Sequence, residues 1–118
     1  MARERDLKVY ELSKYRVKEL KYFCLQYGEK RKRLNRLSLN DRTGNERDSL
    51  IKDISIIEWC ASQAGDGIYD DAILKNVTQG IKYEYLGIVP TGRRQFYEAR
   101  RKFFYLLHTK KGNHGDVL

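Results

Sequence analysis

The stretch that decides the fold runs from Tyr85 to His108 and reads YLGIVPTGRRQFYEARRKFFYLLH. Pro90 disfavours helical geometry at the residue before it and has no N–H group, so it separates two helical segments. The hydroxyl of Thr91 can accept a hydrogen bond from an amide of the following turn, so a new helix is predicted to start at Thr91 or Gly92. A helix, this turn and a second helix together predict a helix-turn-helix.

The spacing of apolar residues divides the second of these helices into two faces. Apolar side chains recur at intervals of three and four residues, which aligns them on one side of a helix. The predicted inward face consists of Phe96, Ala99, Phe103 and Leu107, with Leu106 beside them. The opposite side consists of an outward ridge, Arg94, Tyr97, Glu98 and Arg101, followed by Tyr105 and His108.

The outward ridge is typical of a recognition helix, because the first residues of the second helix in a helix-turn-helix meet the edges of the bases. Arg94 and Arg101 either pair with guanine edges or hold only the DNA backbone, and the sequence leaves both roles open. The side chains that flank the ridge are expected to contact phosphate. They are Arg93, Gln95, Arg100 and Lys102.

Two alternatives remain open for this helix. It could be an ordinary amphipathic helix with solvated arginines, in which Glu98 pairs with Arg94 or Arg101 at helical spacing. Its aromatic side chains could also stack on single-stranded bases, a role open to Tyr97 and Tyr105 but not to the inward phenylalanines.

The chain is basic at both ends and acidic in the middle, within a net charge of +8. Residues 1–36 hold twelve Lys and Arg against five Asp and Glu, residues 37–90 hold five against nine, and residues 91–118 hold seven against two. This asymmetry favours a polyanionic partner, with nucleic acid ahead of an anionic membrane surface, although basic surfaces also serve solubility.

Apolar periodicity predicts four principal helices, at residues 7–37, 46–64, 70–86 and 91–108. The first is one long helix or two helices joined near Gly28, and its densest apolar patch is Leu20, Phe23, Cys24 and Tyr27. The second has the clearest pattern and is expected to be a core helix with Trp59 as a packing anchor. Its apolar stripe consists of Leu50, Ile54, Ile57 and Ala61, widened by Ile51 and Trp59.

Turn chemistry marks the boundaries of these helices. The polar segment 38–48 is the one linker, and its Thr43 and Glu46 fit a capping box unless Asp48 caps a later start. Gly65-Asp66-Gly67 is predicted to end the second principal helix.

The third principal helix carries two further signals. Asp70 or Asp71 is predicted to cap its start. The segment is still predicted to be a helix, because no cluster of turn residues flanks Gly80, and that glycine is expected to interrupt the helix or to pack tightly within it.

A basic run follows Gly28 and consists of Lys30, Arg31, Lys32, Arg33 and Arg36. It could be an arm that binds phosphates, or it could be the solvated face of a helix end, where cations also suit the helix dipole. No aromatic residue alternates with these cations, so both interpretations stay open.

Catalytic and metal-binding chemistry has little support in the sequence. Cys24 and Cys60 have no second Cys or His at ligand spacing and are expected to be buried apolar residues. The two histidines, His108 and His114, belong to no metal-ligand or nucleophile motif, so no enzyme activity, metal or cofactor is expected. MARERDLK lacks the apolar core of a signal peptide, so we expect a cytoplasmic protein that does not enter a membrane.

A family resemblance adds to these expectations. YFCLQY at residues 22–27 and IVPTGRRQFYEARRKFFYLL at residues 88–107 resemble the small phage and prophage regulators of the RinA and ArpU families. These are regarded as activators of late or packaging genes, and their C-terminal part is similar to the helix-turn-helix of sigma-factor region 4. The resemblance implies a DNA-contacting role for Thr91, Arg93, Arg94, Tyr97, Arg100 and Arg101. Gly80 and Gly92 depart from this pattern, because glycine is unfavourable in the supporting helix and at the start of the recognition helix.

The sequence therefore predicts an all-α single domain with a C-terminal helix-turn-helix. We expect a basic N-terminal helix at 1–40, the DNA-binding unit at 41–110 and a flexible tail at 111–118. The expected function is sequence-specific binding of double-stranded DNA to regulate transcription of phage or prophage genes in a bacterial cell, in association with the nucleoid. The alternatives are a DNA-packaging subunit similar to a small terminase, which would form a homo-oligomer, a protein that binds RNA polymerase, and a protein that binds RNA.

Overall fold

The computed structural model describes residues 12–40 and 44–111, and within them every regular element is a helix. This confirms the all-α class. The elements are α1 (Lys14–Leu25), α2 (Tyr27–Asn40), α3 (Gly44–Gly65), α4 (Asp70–Gln79), a 3-10 turn (Tyr83–Tyr85) and α5 (Arg93–Lys111). Residues 1–11, which include the start of the helix predicted at 7–37, and residues 112–118 of the predicted tail lie outside this part of the chain.

The first predicted helix is divided into α1 and α2. The side chain of Ser13 caps α1 by accepting a hydrogen bond from the backbone N–H of Arg16, at 3.1 Å. The helix ends at Leu25, and Gln26 forms the junction with α2. The break predicted near Gly28 thus lies two residues earlier in the chain.

α3 is the central helix and packs against α2, α4 and α5. Ile54, Ile57 and Ala61 are buried, as the apolar stripe predicts. Trp59 departs from its expected role as a packing anchor, because 42% of its surface is exposed and Lys110 Nζ lies 4.4 Å from the centre of its ring. α3 begins at Gly44, so Asp48 lies inside the helix instead of capping it, and Thr43 of the predicted capping box is outside the described residues.

The turn predicted at Gly65-Asp66-Gly67 is confirmed. Asp66 and Gly67 both have positive φ angles, of 54° and 72°, which reverse the chain after α3. The residue before α4 is Tyr69, whose side chain makes no capping hydrogen bond. Asp70 and Asp71 occupy the first turn of α4, where carboxylates favour the positive end of the helix dipole, so the prediction that either caps the helix is wrong.

The third predicted helix, 70–86, is interrupted at Gly80, which is one of the two outcomes expected there, and only a 3-10 turn follows before Leu86. α4 ends at Gln79, because Gly80 adopts a left-handed conformation with φ 70° and its N–H bonds to the carbonyl of Asn76. The connection to α5 then runs from Gly80 to Gly92, which exceeds the three or four residues of a usual helix-turn-helix turn. The hydroxyl of Tyr83 donates to the carbonyl of Thr91 at 2.8 Å and ties the two ends of this connection together.

The core lies where α1, α4 and α5 meet around α3. Cys24 and Cys60 are free, fully buried and part of this core, which confirms their expected role. Burial raises the pKa of each thiol to about 12. The largest fully buried side chains, besides the two cysteines, are Phe96, Phe103, Leu20, Ile57, Ile73 and Leu107.

Candidate nucleic-acid interface

The inward face predicted for the last helix is confirmed in α5. Phe96, Phe103 and Leu107 are fully buried, and Ala99 is 7% exposed. The sequence pattern missed Phe104, which is also buried and meets Phe103 edge-on at 5.1 Å between ring centres. α5 contacts α1 and α4 as well as α3, so it buries a wider strip than a single line of apolar residues.

The predicted outward ridge is confirmed only for its two arginines, because Tyr97 and Glu98 are half-buried. The exposed ridge in the structure therefore consists of Arg94 and Arg101. The side chain of Arg94 is 76% exposed, and its Nε lies 3.9 Å from a carboxylate oxygen of Glu98, which is a loose ion pair. Arg101 is exposed, and within the described residues it has no hydrogen bond or ion pair. Seven residues separate them, so they stand two helical turns apart on one side of the helix.

The start of α5 is fastened to the connection that precedes it. α5 begins at Arg93, one or two residues later than predicted. Arg93 pairs with Glu84 and lies over the ring of Tyr97, at 5.6 Å from the ring centre. The hydroxyl of Thr91 donates to the side-chain oxygen of Gln95 at 2.7 Å, so in this structure it bonds a side chain and not the amide expected of a cap.

Arg100 is half-buried, unlike the exposed arginines of the ridge. Its Nε donates to Oδ1 of Asn76 in α4 at 2.6 Å, and its guanidinium lies 4.9 Å from the centre of the Phe104 ring. Burial lowers the pKa of Arg100, because removing the group from water disfavours its charged form. Tyr97 is also half-buried and packs edge-on against Phe96, with ring centres 5.3 Å apart.

Arg100 and Tyr97 face a cleft of about 270 Å³ between α1, α4 and α5, which we call the Arg100 cleft. Its other lining residues are Lys21, Leu25, Asn76, Val77, Gly80 and Lys82. Lys102 lies elsewhere, in a shallower depression with Pro90, Thr91 and Gln95. The predicted site residues of α5 thus divide between an exposed ridge, this cleft and the depression near Pro90.

The basic run of α2 has a role different from the two predicted for it, because it pairs with acids of the neighbouring helix. Three of its five cations pair with carboxylates of α3. The pairs are Lys30 with Asp53 at 2.9 Å, Arg31 with Glu58 at 2.9 Å and Arg33 with Glu46 at 2.7 Å. Lys32 and Arg36 are exposed and have no ion pair within the described part of the chain. The run therefore joins α2 to α3, and only two of its charges are left for an external partner.

Three lining residues of the Arg100 cleft were not predicted from the sequence, namely Asn76, Lys21 and Lys82. Asn76 is polar, yet it is buried, because it lies in the apolar strip of α4 beside Val77. A polar residue at such a position needs a hydrogen-bond partner. That position was a signal that could have been read from the sequence. Lys21 and Lys82 carry no such signal, because only the fold brings them to the same cleft.

Comparison with protein-family models, curated proteins and solved structures found no match. Within residues 12–40 and 44–111, no group of three or more His, Cys, Asp or Glu side chains is arranged to hold a metal ion. The helices of this part of the chain include none with the length and apolar character needed to cross a membrane.

Proposed function

We propose that the protein binds double-stranded DNA in a sequence-specific manner through α5, and that it regulates transcription. The observation that carries the proposal is the division of α5 into a buried apolar face and an exposed ridge with Arg94 and Arg101 two turns apart. A helix seated in this way can enter the major groove without losing its packing, and its arginines can reach guanine edges.

The charge around the ridge supports the same proposal. Residues 91–118 hold seven Lys and Arg against two Asp and Glu, and Arg94, Arg101 and Lys102 lie in the first half of α5. Glu84 pairs with the flanking Arg93, and Glu98 lies near Arg94, so the net charge of the ridge and its flank is smaller than a count of their cations suggests. The exposed Arg101 is the cation best suited to read a base.

The unit that presents α5 would be a helix-turn-helix with an extended turn. In this arrangement α4 supports α5 through the Asn76–Arg100 hydrogen bond, and the 3-10 turn holds the start of α5 through Tyr83 and Glu84. The proposed role in phage or prophage transcription rests on the resemblance to the RinA and ArpU regulators.

The test is selection of bound sites from random duplexes, followed by binding measurements with Arg94→Ala and Arg101→Ala. If an arginine reads a base, its loss should weaken binding to the selected site by about 1–3 kcal/mol and relax the preference at one base pair. If it contacts only phosphate, affinity for all sequences should fall alike and the salt slope should flatten by about one unit.

Lys52→Ala is the matched control, because Lys52 is an exposed cation of α3 outside the proposed interface. It removes the same formal charge and should leave the sequence preference unchanged. Unaltered DNA affinity in both arginine variants would refute the role of α5, and failure to enrich any motif would refute sequence-specific binding.

The same preparation separates the other function classes. Light scattering would reveal the ring-shaped oligomer of a packaging subunit. Competition with structured RNA would reveal an RNA-binding protein, and retention of RNA polymerase without any affinity for DNA would reveal a polymerase-binding module.

A further inference from the structure

The Arg100 cleft gathers positive charge without any carboxylate in its lining. Lys21 comes from α1, Lys82 from the connection after α4, and Arg100 from α5. By contrast, the partly buried ammonium group of Lys30 pairs with Asp53 at 2.9 Å. Three cations from three separate segments therefore meet at one concave surface with no counter-ion among the lining residues.

The half-buried guanidinium of Arg100 is the group that most needs a counter-ion. It forms no ion pair within the described residues, and its hydrogen-bond partner, Asn76, is a neutral amide. Removing a charge from water is costly unless an opposite charge accompanies it. An anion bound in the cleft would supply that opposite charge.

The orientation of Arg100 is fixed before any ligand arrives. The Nδ2 of Asn76 donates to the carbonyl of Ile81 at 2.9 Å, which sets the amide so that its Oδ1 receives Arg100 Nε. The ring of Phe104 lies against the guanidinium. The two terminal nitrogens of Arg100 have no hydrogen-bond partner among the described residues. Both are accessible to solvent, so a ligand can reach them. Such a fork suits two oxygens of one phosphate or carboxylate.

We propose that the Arg100 cleft is a phosphate-binding site. Its volume of about 270 Å³ suits a phosphate group and part of an attached sugar, since pockets for larger ligands begin at about 300 Å³. Lys21 and Lys82 add charge from two sides. Leu25 and Val77 provide an apolar wall against which the carbons of a sugar can lie.

The phosphate could come from two sources with the same chemistry. One is the backbone of a duplex bound along α5, and this version rests on the proposed function. The other is a free phosphorylated small molecule, and this version does not depend on DNA binding.

The first experiment titrates the full chain with inorganic phosphate at constant ionic strength and follows the Arg100 Nε–Hε and Tyr97 amide signals by NMR. The wild type should show saturable shifts at both groups. Lys21→Gln and Lys82→Gln should each weaken binding several-fold, and Arg100→Gln should weaken it about tenfold or more. Lys52→Gln, which removes a cation outside the cleft, should titrate as the wild type does.

Lys21 and Lys82 are exposed, so their variants keep the test decisive if Arg100→Gln fails to fold. The absence of saturable shifts in the wild type would overturn the proposal. Wild-type affinity in both lysine variants, or losses in Lys52→Gln equal to theirs, would overturn it too.

A second experiment adds duplex DNA and distinguishes the two sources. If the duplex shifts the Arg100 and Tyr97 signals and competes with inorganic phosphate, the phosphate belongs to the DNA backbone. If free phosphate binds but no duplex does, the cleft is a site for a phosphorylated small molecule. In that case the proposal of DNA binding is refuted and the proposal of a phosphate site is supported. If duplex binding persists while the wild type shows no phosphate response, the cleft proposal fails and the role of α5 stands.

Discussion

Replacing Gly65 with alanine should strongly destabilise the protein. Gly65 is the last residue of α3, and the chain turns there so tightly that α4 begins against it. Its carbonyl accepts the N–H groups of Ile68 and Tyr69, at 2.9 and 3.1 Å, which holds the turn closed. A Cβ atom at Gly65 would lie 2.4 Å from the backbone nitrogen of Asp70 and 2.5 Å from its Cα.

The size of the effect follows from these distances. Carbon atoms pack best at about 3.5–4.0 Å, so the new methyl group would overlap two backbone atoms by more than an ångström. A backbone cannot rotate away as a side chain can, so α3 and α4 must separate. Forced overpacking costs about 1–3 kcal/mol or more, and the better helix propensity of alanine returns at most about 1 kcal/mol. We expect a net loss of about 2 kcal/mol, which lowers Tm by roughly 10 °C in a chain of this size.

Urea and thermal unfolding, followed by far-UV circular dichroism, would measure this loss. Gly28→Ala is the matched control, because Gly28 is also a helical glycine but a Cβ atom there would meet nothing within 4 Å. That change should leave stability unchanged or raise it by up to about 1 kcal/mol. Equal stability of Gly65→Ala and the wild type would refute the close approach of the two helices.

Three further predictions concern α3 and the buried thiols. Asp53→Asn should lower the free energy of unfolding by about 1–2 kcal/mol, because it leaves the largely buried ammonium group of Lys30 without its ion pair. Glu46→Gln breaks the more exposed pair with Arg33 and should lower the free energy of unfolding less in the same urea titration. Cys24 and Cys60 should resist thiol reagents in the folded protein, and modification as fast as that of the urea-unfolded protein would contradict their burial. Because burial raises the pKa of both thiols from 9.0 to about 12, the free energy of unfolding should be unaffected by them below pH 9 and should fall as pH rises toward 12. The fluorescence of Trp59, the single tryptophan, should be quenched by acrylamide in the folded state, and strong protection would contradict its exposed position.

Local patterns predicted the parts of this fold that depend on neighbouring residues. The spacing of Phe96, Phe103 and Leu107 identified the inward face of α5, because a helix with one apolar side has only one way to bury it. The glycines around Asp66 identified the end of α3 for a similar reason, since the positive φ angles of that turn are a local requirement.

The sequence left the end of α4 open between an interruption and a continuous helix, because Gly80 is compatible with both. A glycine is tolerated within a helix at a cost of about 1 kcal/mol, and the same residue can end a helix cheaply in the left-handed conformation. Two hydrogen bonds made by side chains, which the spacing of apolar residues does not reveal, support the interruption. The Nδ2 of Asn76 binds the carbonyl of Ile81, and the hydroxyl of Tyr83 binds the carbonyl of Thr91, and both bonds hold the chain in its path after Gly80.

The distribution of usable charge could not be read from the sequence either, and it changes where a polyanion would bind. Residues 1–36 have the largest excess of cations, yet three of the five in the basic run of α2 are paired with carboxylates of α3. The cleft around Arg100, by contrast, draws one cation from each of three segments that are far apart in the chain, and only Arg100 among them was expected to contact phosphate. A partner with regularly spaced phosphates would therefore gain less from the densest basic run than from α5 and the cleft beside it. The two sites share one helix, with Arg101 on the ridge and Arg100 in the cleft. If both proposals hold and the phosphate is that of a duplex, these adjacent residues contact different parts of the same nucleic acid.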